Sequence, residues 1–502
     1  MARLLWCSNI AAWAVWGCAL LVSWRAPLVS SYMVATRGFA ASRHYFCQGS
    51  SSNEAGLVEA MVASTAACEK LSVEPLFAAF AKDQVFLDTI WQKRPFLCEA
   101  RLANLVGAFT MDNVQQAVDS DFLEAGRGTV LDTGGGWNMA SVSQPRGSSF
   151  EEAKLRYEDV CVAMKKTAGT VVFNSAGGFI PPLAAVCLET VAAFDLPAAL
   201  NMYLTDPGQK LSAPPHTDRQ EVFVLQTQGQ KRWRVFSPPS VAGSPRADPF
   251  ARGKGKDALP LASLGAPLLD TVMQPGQVLY IPAGFPHTTD TLEGVSSTEP
   301  SVHLTVGLDS HVWGLSFAGL RSYALRRSGQ ESELNLAQVD NAAYWAMQEA
   351  LPLGFLSEEI VAEQRGFGSG MRAALQAETI ARLLQRMRRL EPTRWAALSD
   401  AQLAAQIGAD EAATRLLAHH RTVTEILRNM YNDVAFRVSP AQRDLSFFRS
   451  QPYFRQLEAA MEDLERWAGV RKVEQGPKKG FGGAAAASPP PSAATGKKKG
   501  FG

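Results

Sequence analysis

The chain has 502 residues, enough for two or three domains, and its 46% hydrophobic and 19% charged fractions are those of a globular protein. A net charge of +1 argues against a summed attraction to nucleic acid, so there is no strong nucleic-acid signal, although local basic patches stay open. Seven cysteines, none beyond Cys187 and none in a CxxC pair, weigh against a cysteine-built zinc module or a disulfide framework and favour a reduced compartment.

In chain order, the first feature is an uncharged apolar run from Ile10 to Trp24. It is shorter than the about 20 residues that a membrane span needs, and it fits the core of a signal peptide. No acidic residue precedes Glu54, and Arg25, Arg37 and Arg43 lie among Ala, Ser and Gly. This pattern resembles the two-part presequence of algae with complex plastids. Residues 1–53 are therefore expected to be a targeting segment that leads to a plastid. If they are not, a nuclear or nucleolar location follows, and an uncleaved signal would leave the protein at the ER or a membrane.

From Leu57 to Phe194 the pattern is mixed. Glu74 to Ile90 is helix-like, and WQKRPFLCEA, Trp91 to Ala100, ends in a short strand. GTVVFNSAGGFIPP, Gly169 to Pro182, gives a β-branched run, a Gly-Gly turn and a Pro-Pro stop, followed by helical spacing from Leu183 to Phe194. The middle is rich in strands: Asn201 to Thr205, Glu221 to Thr227, Lys231 to Ser237, Gln277 to Pro282 and Val302 to Leu308. Gln228 to Gln230, with a central glycine, reads as the turn of a β-hairpin. Short strands without intervening helices predict an α+β chain built on a β-sandwich or jelly roll. Helical patterns then take over at Leu334 to Leu351, Gly370 to Arg389, Asp400 to Ile407, Asp410 to His420 and Pro452 to Trp467. His419 and His420 are adjacent, cannot share a helix face, and read as surface polar residues. Residues 473–502 form a Gly, Ala, Pro and Lys tail with two copies of Lys-Lys-Gly-Phe-Gly, at Lys478 to Gly482 and Lys498 to Gly502.

APPHTDRQEVFVLQTQGQKRWRV, Ala213 to Val235, carries the chemical signal. Residues two apart on a strand point to one side, so His216 and Asp218 are either polar residues at a strand edge or two ligands in want of a third. His287 supplies a candidate. It follows the strand Val278 to Ile281 and a Pro-Ala-Gly-Phe-Pro turn, and its alternative is a loop histidine bonded to backbone. Two histidines and one carboxylate on one side is the ligand set of non-haem Fe(II) oxygenases. Strand parity places Arg232 and Arg234 opposite Trp233 and puts Lys231 with Trp233, on the inward face, where a buried ammonium implies an anionic partner.

The blocks GTVVFNSAGGFIPP, NMYLT, HTD, QGQKRWRV, PAGFPH and VHLTVGL, in that order and after WQKRPF, closely resemble the JmjC-domain oxygenases, most of all their ribosomal-oxygenase branch of histidyl hydroxylases and lysine demethylases. The resemblance covers Glu74 to Leu308 and implies a cupin-like double-stranded β-helix within residues 54–309. It implies Fe(II) held by His216, Asp218 and His287, with 2-oxoglutarate and O₂ as cosubstrates. It further implies that Lys231 pairs with the distal carboxylate of 2-oxoglutarate and that Asn201, Tyr203 and Thr305 line its pocket; ordinary strand packing is the alternative for these last three. Hydroxylation of a histidyl or arginyl side chain, of a ribosomal protein or another protein substrate, is the implied activity. Lysine demethylation and a non-catalytic metal-binding β-sandwich are the alternatives. ALPLGFL, Ala350 to Leu356, resembles the family's helical dimerisation region, which sets residues 310–390 apart as a homodimer interface and 391–472 as a helical, winged-helix-like module. Two departures stand out: an extra residue between NMYLT and HTD, in the loop over the site, and Gly307 where relatives carry serine near the substrate.

Overall fold

Alternation of residue type along Ala198–Thr205 and Ser301–Leu308 decides the layering. The computed structural model describes residues 52–66, 68–120, 139–140, 156–166, 170–238, 259–330, 339–357, 371–437 and 452–469. The expected presequence, but for its last two residues, and the tail with its Lys-Lys-Gly-Phe-Gly copies lie outside the described residues.

Eleven strands are described: β1 (Phe96–Cys98), β2 (Met139–Ala140), β3 (Thr170–Phe173), β4 (Ala198–Thr205), β5 (Ala213–His216), β6 (Glu221–Gln228), β7 (Lys231–Phe236), β8 (Pro267–Met273), β9 (Val278–Ile281), β10 (His287–Asp290) and β11 (Ser301–Leu308). They form a seven-stranded sheet, β1-β9-β6-β11-β4-β3-β2, and a four-stranded sheet, β5-β10-β7-β8. Pairing is antiparallel except between β2 and β3.

On β11, Val302, Leu304, Val306 and Leu308 enter the core beneath the helices, as do Ala198, Leu200, Met202 and Leu204 of β4. Their neighbours Ser301, His303, Thr305 and Gly307, with Ala199, Asn201, Tyr203 and Thr205, therefore face the smaller sheet. Between the sheets a second core gathers Val222, Val224, Trp233, Val235, Met273, Leu279, Ile281 and Phe285. Each large apolar side chain buried in this way contributes about 1.5–3 kcal/mol.

The hairpin expected at Gln228 to Gln230 is not one. β6 lies in the larger sheet and β7 in the smaller, so this link turns a corner between the layers. Gly229 takes φ 61°, and a Cβ there would sit 2.5 Å from the Pro300 carbonyl oxygen. Local turn signals report a reversal, but not which sheet the chain rejoins.

The helices before β4 are α1 (Ser52–Thr65), α2 (Glu74–Lys82), α3 (Met111–Asp119), α4 (Tyr157–Lys166) and α5 (Pro181–Phe194). The Pro pair read as a stop opens α5 from its first turn, where the missing N–H groups have no intrahelical partner anyway. After the sandwich come α6 (Phe317–Arg327), α7 (Asn341–Gln348), α8 (Leu353–Leu356), α9 (Met371–Leu390), α10 (Pro392–Trp395), α11 (Asp400–Ile407), α12 (Ala409–Asn432) and α13 (Tyr453–Trp467). Every described element from residue 391 onward is helical. Ser399 and Gln402 form the capping box of α11, and Gly408 ends it in the left-handed conformation.

Helix α12 runs well past the expected stop at His420, because Val423, Leu427, Met430 and Tyr431 continue its buried stripe. It packs on α5 and is tied to the end of that helix and to the start of β4: Arg428 pairs with Asp195 at 2.6 Å and the Tyr431 hydroxyl donates to the Ala198 carbonyl at 2.6 Å. The late helices thus share one apolar core with the larger sheet. His419 and His420, read from sequence as surface residues, are both buried, His420 to 1% exposure. His419 lies against Trp313, and burial pulls its pKa down to about 4.

Candidate metal centre

His216 closes β5 and His287 opens β10, and the two stand directly opposite each other across that ladder. Asp218 lies two residues beyond the end of β5, not on one strand with His216 as the HxD spacing suggested. The Nε2 atoms of His216 and His287 stand 3.7 and 3.5 Å from Asp218 Oδ2. These separations are too long for hydrogen bonds and suit donor atoms gathered around one ion. Among the described residues, these three form the group of His, Cys and carboxylate side chains whose donor atoms converge, all within 4.8 Å of one another.

A shared backbone device fixes both imidazoles. His216 Nδ1 lies 2.8 Å from the Pro214 carbonyl and His287 Nδ1 lies 3.0 Å from the Phe285 carbonyl, each two residues upstream. A carbonyl only accepts, so Nδ1 carries the proton in both rings and Nε2 keeps its lone pair for a metal. The turn between β9 and β10 is held in turn by the Gly284 N–H, which donates to the Asp218 carbonyl at 2.8 Å.

Lys231, at the start of β7, is 1% exposed. Its ammonium donates to Thr205 Oγ1 at 2.8 Å, and that hydroxyl also pairs with Thr170 Oγ1 at 2.8 Å. Burial pulls the Lys231 pKa down to about 7, a fall only partly offset by the charge of Asp290. As strand parity required, Trp233 is buried beside it, while Arg232 and Arg234 turn outward to Asp270, Glu293 and Asp290. Asn201 and Tyr203 lie on the face of β4 shared with Thr205; Asn201 accepts from the Ser175 N–H at 2.8 Å. Thr305 stands opposite Asn201 in the ladder. The three ligand candidates thus converge, and Asn201, Tyr203 and Thr305 share the inward parity of β4 and β11.

Sequence reasoning passed over His303, which stacks on Tyr203 at 4.8 Å and meets Trp233 edge-on at 5.3 Å. Burial and the nearby Lys231 hold its pKa well below the usual value. The signal was present: a histidine at inward parity in an otherwise apolar run. His303 Nδ1 and Trp233 Nε1 are buried without hydrogen-bond partners. Together with the Lys231 ammonium they give a face fitted to a bound anion. The loop with the extra residue is fastened beside β10: the Gly208 N–H donates to the Thr291 carbonyl and the Ser212 N–H to the Thr289 carbonyl, both at 2.9 Å. At Gly307 a Cβ would meet the Gln220 side chain at 2.6 Å, so that carboxamide fills the space a serine would take.

A jelly roll presenting two histidines and a carboxylate between its sheets belongs to the cupin-like metal-binding class. Within it, residues 182–313 match the JmjC domain. Ribosomal oxygenase 1 of Gallus gallus is 38% identical over 135 residues, covering 27% of this chain and 21% of that protein. The bifunctional lysine-specific demethylase and histidyl-hydroxylase NO66 of Drosophila mojavensis is 33% identical over 130 residues, covering 26% of this chain and 13% of that protein. Among solved structures, YcfD, a ribosomal oxygenase from Escherichia coli in complex with cobalt and succinic acid, matches with a TM-score of 0.31 and 17% identity, covering 67% of this chain and 69% of that one. Residues 182–313 thus carry a JmjC domain, similar in sequence to part of the ribosomal oxygenases. The chain spans 13–21% of the length of these two curated relatives.

Proposed function

We propose that the protein is an Fe(II)- and 2-oxoglutarate-dependent oxygenase that hydroxylates a protein side chain, histidyl or arginyl, with a ribosomal protein as the substrate. The observation that carries this reading is the convergence of His216 Nε2, His287 Nε2 and the Asp218 carboxylate, with the buried ammonium of Lys231 on an inward strand face nearby. When bound, iron and 2-oxoglutarate supply with O₂ the oxidising power that turns the cosubstrate into succinate and CO₂ and places one oxygen atom on a C–H bond.

The chain's own contributions follow from its geometry. His216, Asp218 and His287 would hold the ion, their imidazoles fixed as Nδ1–H tautomers by Pro214 and Phe285. Lys231, with Thr205, would pair with the distal carboxylate, and Asn201, Tyr203, His303 and Thr305 would shape the wall around it. The apolar packing of Trp233, Val235 and Phe285 keeps water from that end of the cavity. The name of the NO66 relative favours lysine demethylation as the second reading.

The test is succinate formation by the full chain with Fe(II), 2-oxoglutarate and ascorbate, beside His216→Ala and Lys231→Ala. Slow turnover that is lost in His216→Ala, and that demands more cosubstrate in Lys231→Ala, is expected. No turnover despite metal bound at the cluster would leave a binding protein.

A further inference from the structure

The turn that carries His287 is gripped from the side opposite the cavity. Glu221, on β6, is fully buried and faces the helix-side core, three residues beyond Asp218. Its Oε2 accepts from the Ala283 N–H at 3.2 Å and from the Tyr280 hydroxyl at 2.5 Å, while its Oε1 accepts from Gln92 Nε2 at 3.2 Å. Gln92 completes the chain of bonds. Its own N–H donates to the Tyr280 oxygen at 2.9 Å, and its Oε1 accepts from the Ala350 N–H at 3.1 Å. Gln92 holds a left-handed φ of 60°, a conformation unfavourable for a non-glycine residue, and three hydrogen bonds keep it there. The same stretch that presents Ala350 also reaches the neighbouring backbone, since the His311 ring lies between the Arg219 and Gln348 carbonyls.

We propose that Glu221 and Gln92 are positioning residues that couple the metal-ligand turn, Pro282 to Pro286, to the helical half of the chain at Ala350. Neither side chain reaches the cavity; they act by fixing the Ala283 amide, and through that turn the approach of His287 Nε2 to Asp218. The carboxylate meets all three donors without adding an O–H of its own to a site already full of donors. Burial lifts its pKa to about 7, so the relay is complete above neutrality and loosens as the pH falls.

The pattern of donors yields a specific test, which rests on the cluster binding a divalent metal. In Glu221→Gln the new amide sets a donor against Gln92 Nε2, breaking the relay. In the exchanged pair Glu221→Gln with Gln92→Glu, every donor again meets an acceptor, including the Ala350 N–H. The full chain is titrated with Co(II), followed by its absorption and with His216→Ala as the blank, and backbone hydrogen exchange of Ala283 to Phe285 is measured without metal. Glu221→Gln is expected to weaken Co(II) binding about tenfold or more and to speed that exchange, and the exchanged pair to recover both. An unchanged Co(II) affinity in Glu221→Gln, or a folded exchanged pair that recovers neither reading, overturns the proposal. If Glu221→Gln fails to fold, Gln92→Met, which cuts the link to Ala350 and leaves Glu221 intact, must still weaken Co(II) binding for the proposal to stand. Wild-type protein that binds no more Co(II) than His216→Ala sinks the metal reading instead, and the exchange measurement then decides the relay alone.

Discussion

Lys231→Met isolates the conflict built into the cavity. Among the described residues the buried lysine meets a hydroxyl and no carboxylate, and its pKa falls from 10.5 to about 7. Between those two values the unfolded chain binds a proton that the folded chain does not, so this residue makes stability rise with pH over that window and lowers it most below pH 7. At pH 8 the 2.5 pH units still separating the solution from the unfolded pKa amount to roughly 3 kcal/mol, and at pH 10 to less than about 1 kcal/mol. Methionine fills a similar volume without a charge, so Lys231→Met is expected to raise the denaturation midpoint at pH 8 and to lose most of that advantage at pH 10. The order reverses with ligand. In Mn(II) and 2-oxoglutarate at about 100 times its Kd, the wild type gains about 2.7 kcal/mol and the variant little. Equilibrium denaturation at both pH values, with and without 2-oxoglutarate, checks this. A variant less stable than wild type at pH 8 without ligand, or one stabilised equally by 2-oxoglutarate, refutes the reasoning.

Gly229→Ala is expected to cost clearly more than Gly208→Ala. Both glycines take a left-handed φ, which accounts for about 1–2 kcal/mol, but only Gly229 also brings a Cβ against a backbone carbonyl; calorimetric Tm values decide it. Gly307→Ala should change stability by about 1 kcal/mol or less, because a flexible Gln220 side chain yields, while turnover with histidyl and arginyl ribosomal peptides shifts relative to turnover without peptide; equal shifts in both would separate Gly307 from the substrate. Residues 1–53 fused to a fluorescent protein should direct it to a plastid in an alga with complex plastids, and nuclear or cytosolic fluorescence would end that assignment.

Much of the sandwich was legible because β4, β7 and β11 alternate polar and apolar residues, while β6 and β9, buried on both faces, carry unbroken apolar runs. β4, β6, β7, β9 and β11 all declared themselves, and parity alone placed Lys231 inward and its neighbouring arginines outward. β10 did not, since His-Thr-Thr-Asp has no apolar residue and owes its strand to pairing with β5 and β7. β8 lies at a sheet edge, half exposed, and shows only a weak pattern. Which sheet β6 and β7 each join depends on distant partners, so a glycine turn read as a hairpin proved to be a corner. The ligands were visible as residue types. Their tautomers were not, because these depend on carbonyl directions that no side-chain pattern encodes. His419 and His420 failed as surface residues because a long helix packed on both α5 and α13 leaves room to bury polar rings.

The two-sided burial of β4 and β11 has a consequence for how variation should be distributed along them. Leu200, Met202 and Leu204 answer to the helices, while Asn201, Tyr203 and Thr205, one step away, answer to whatever occupies the cavity. A saturation scan of Ser301 to Leu308 should therefore beat with a period of two: abundance falling at even positions and catalytic output at odd ones. Fold and chemistry are interleaved residue by residue, and selection can retune one while leaving the other untouched.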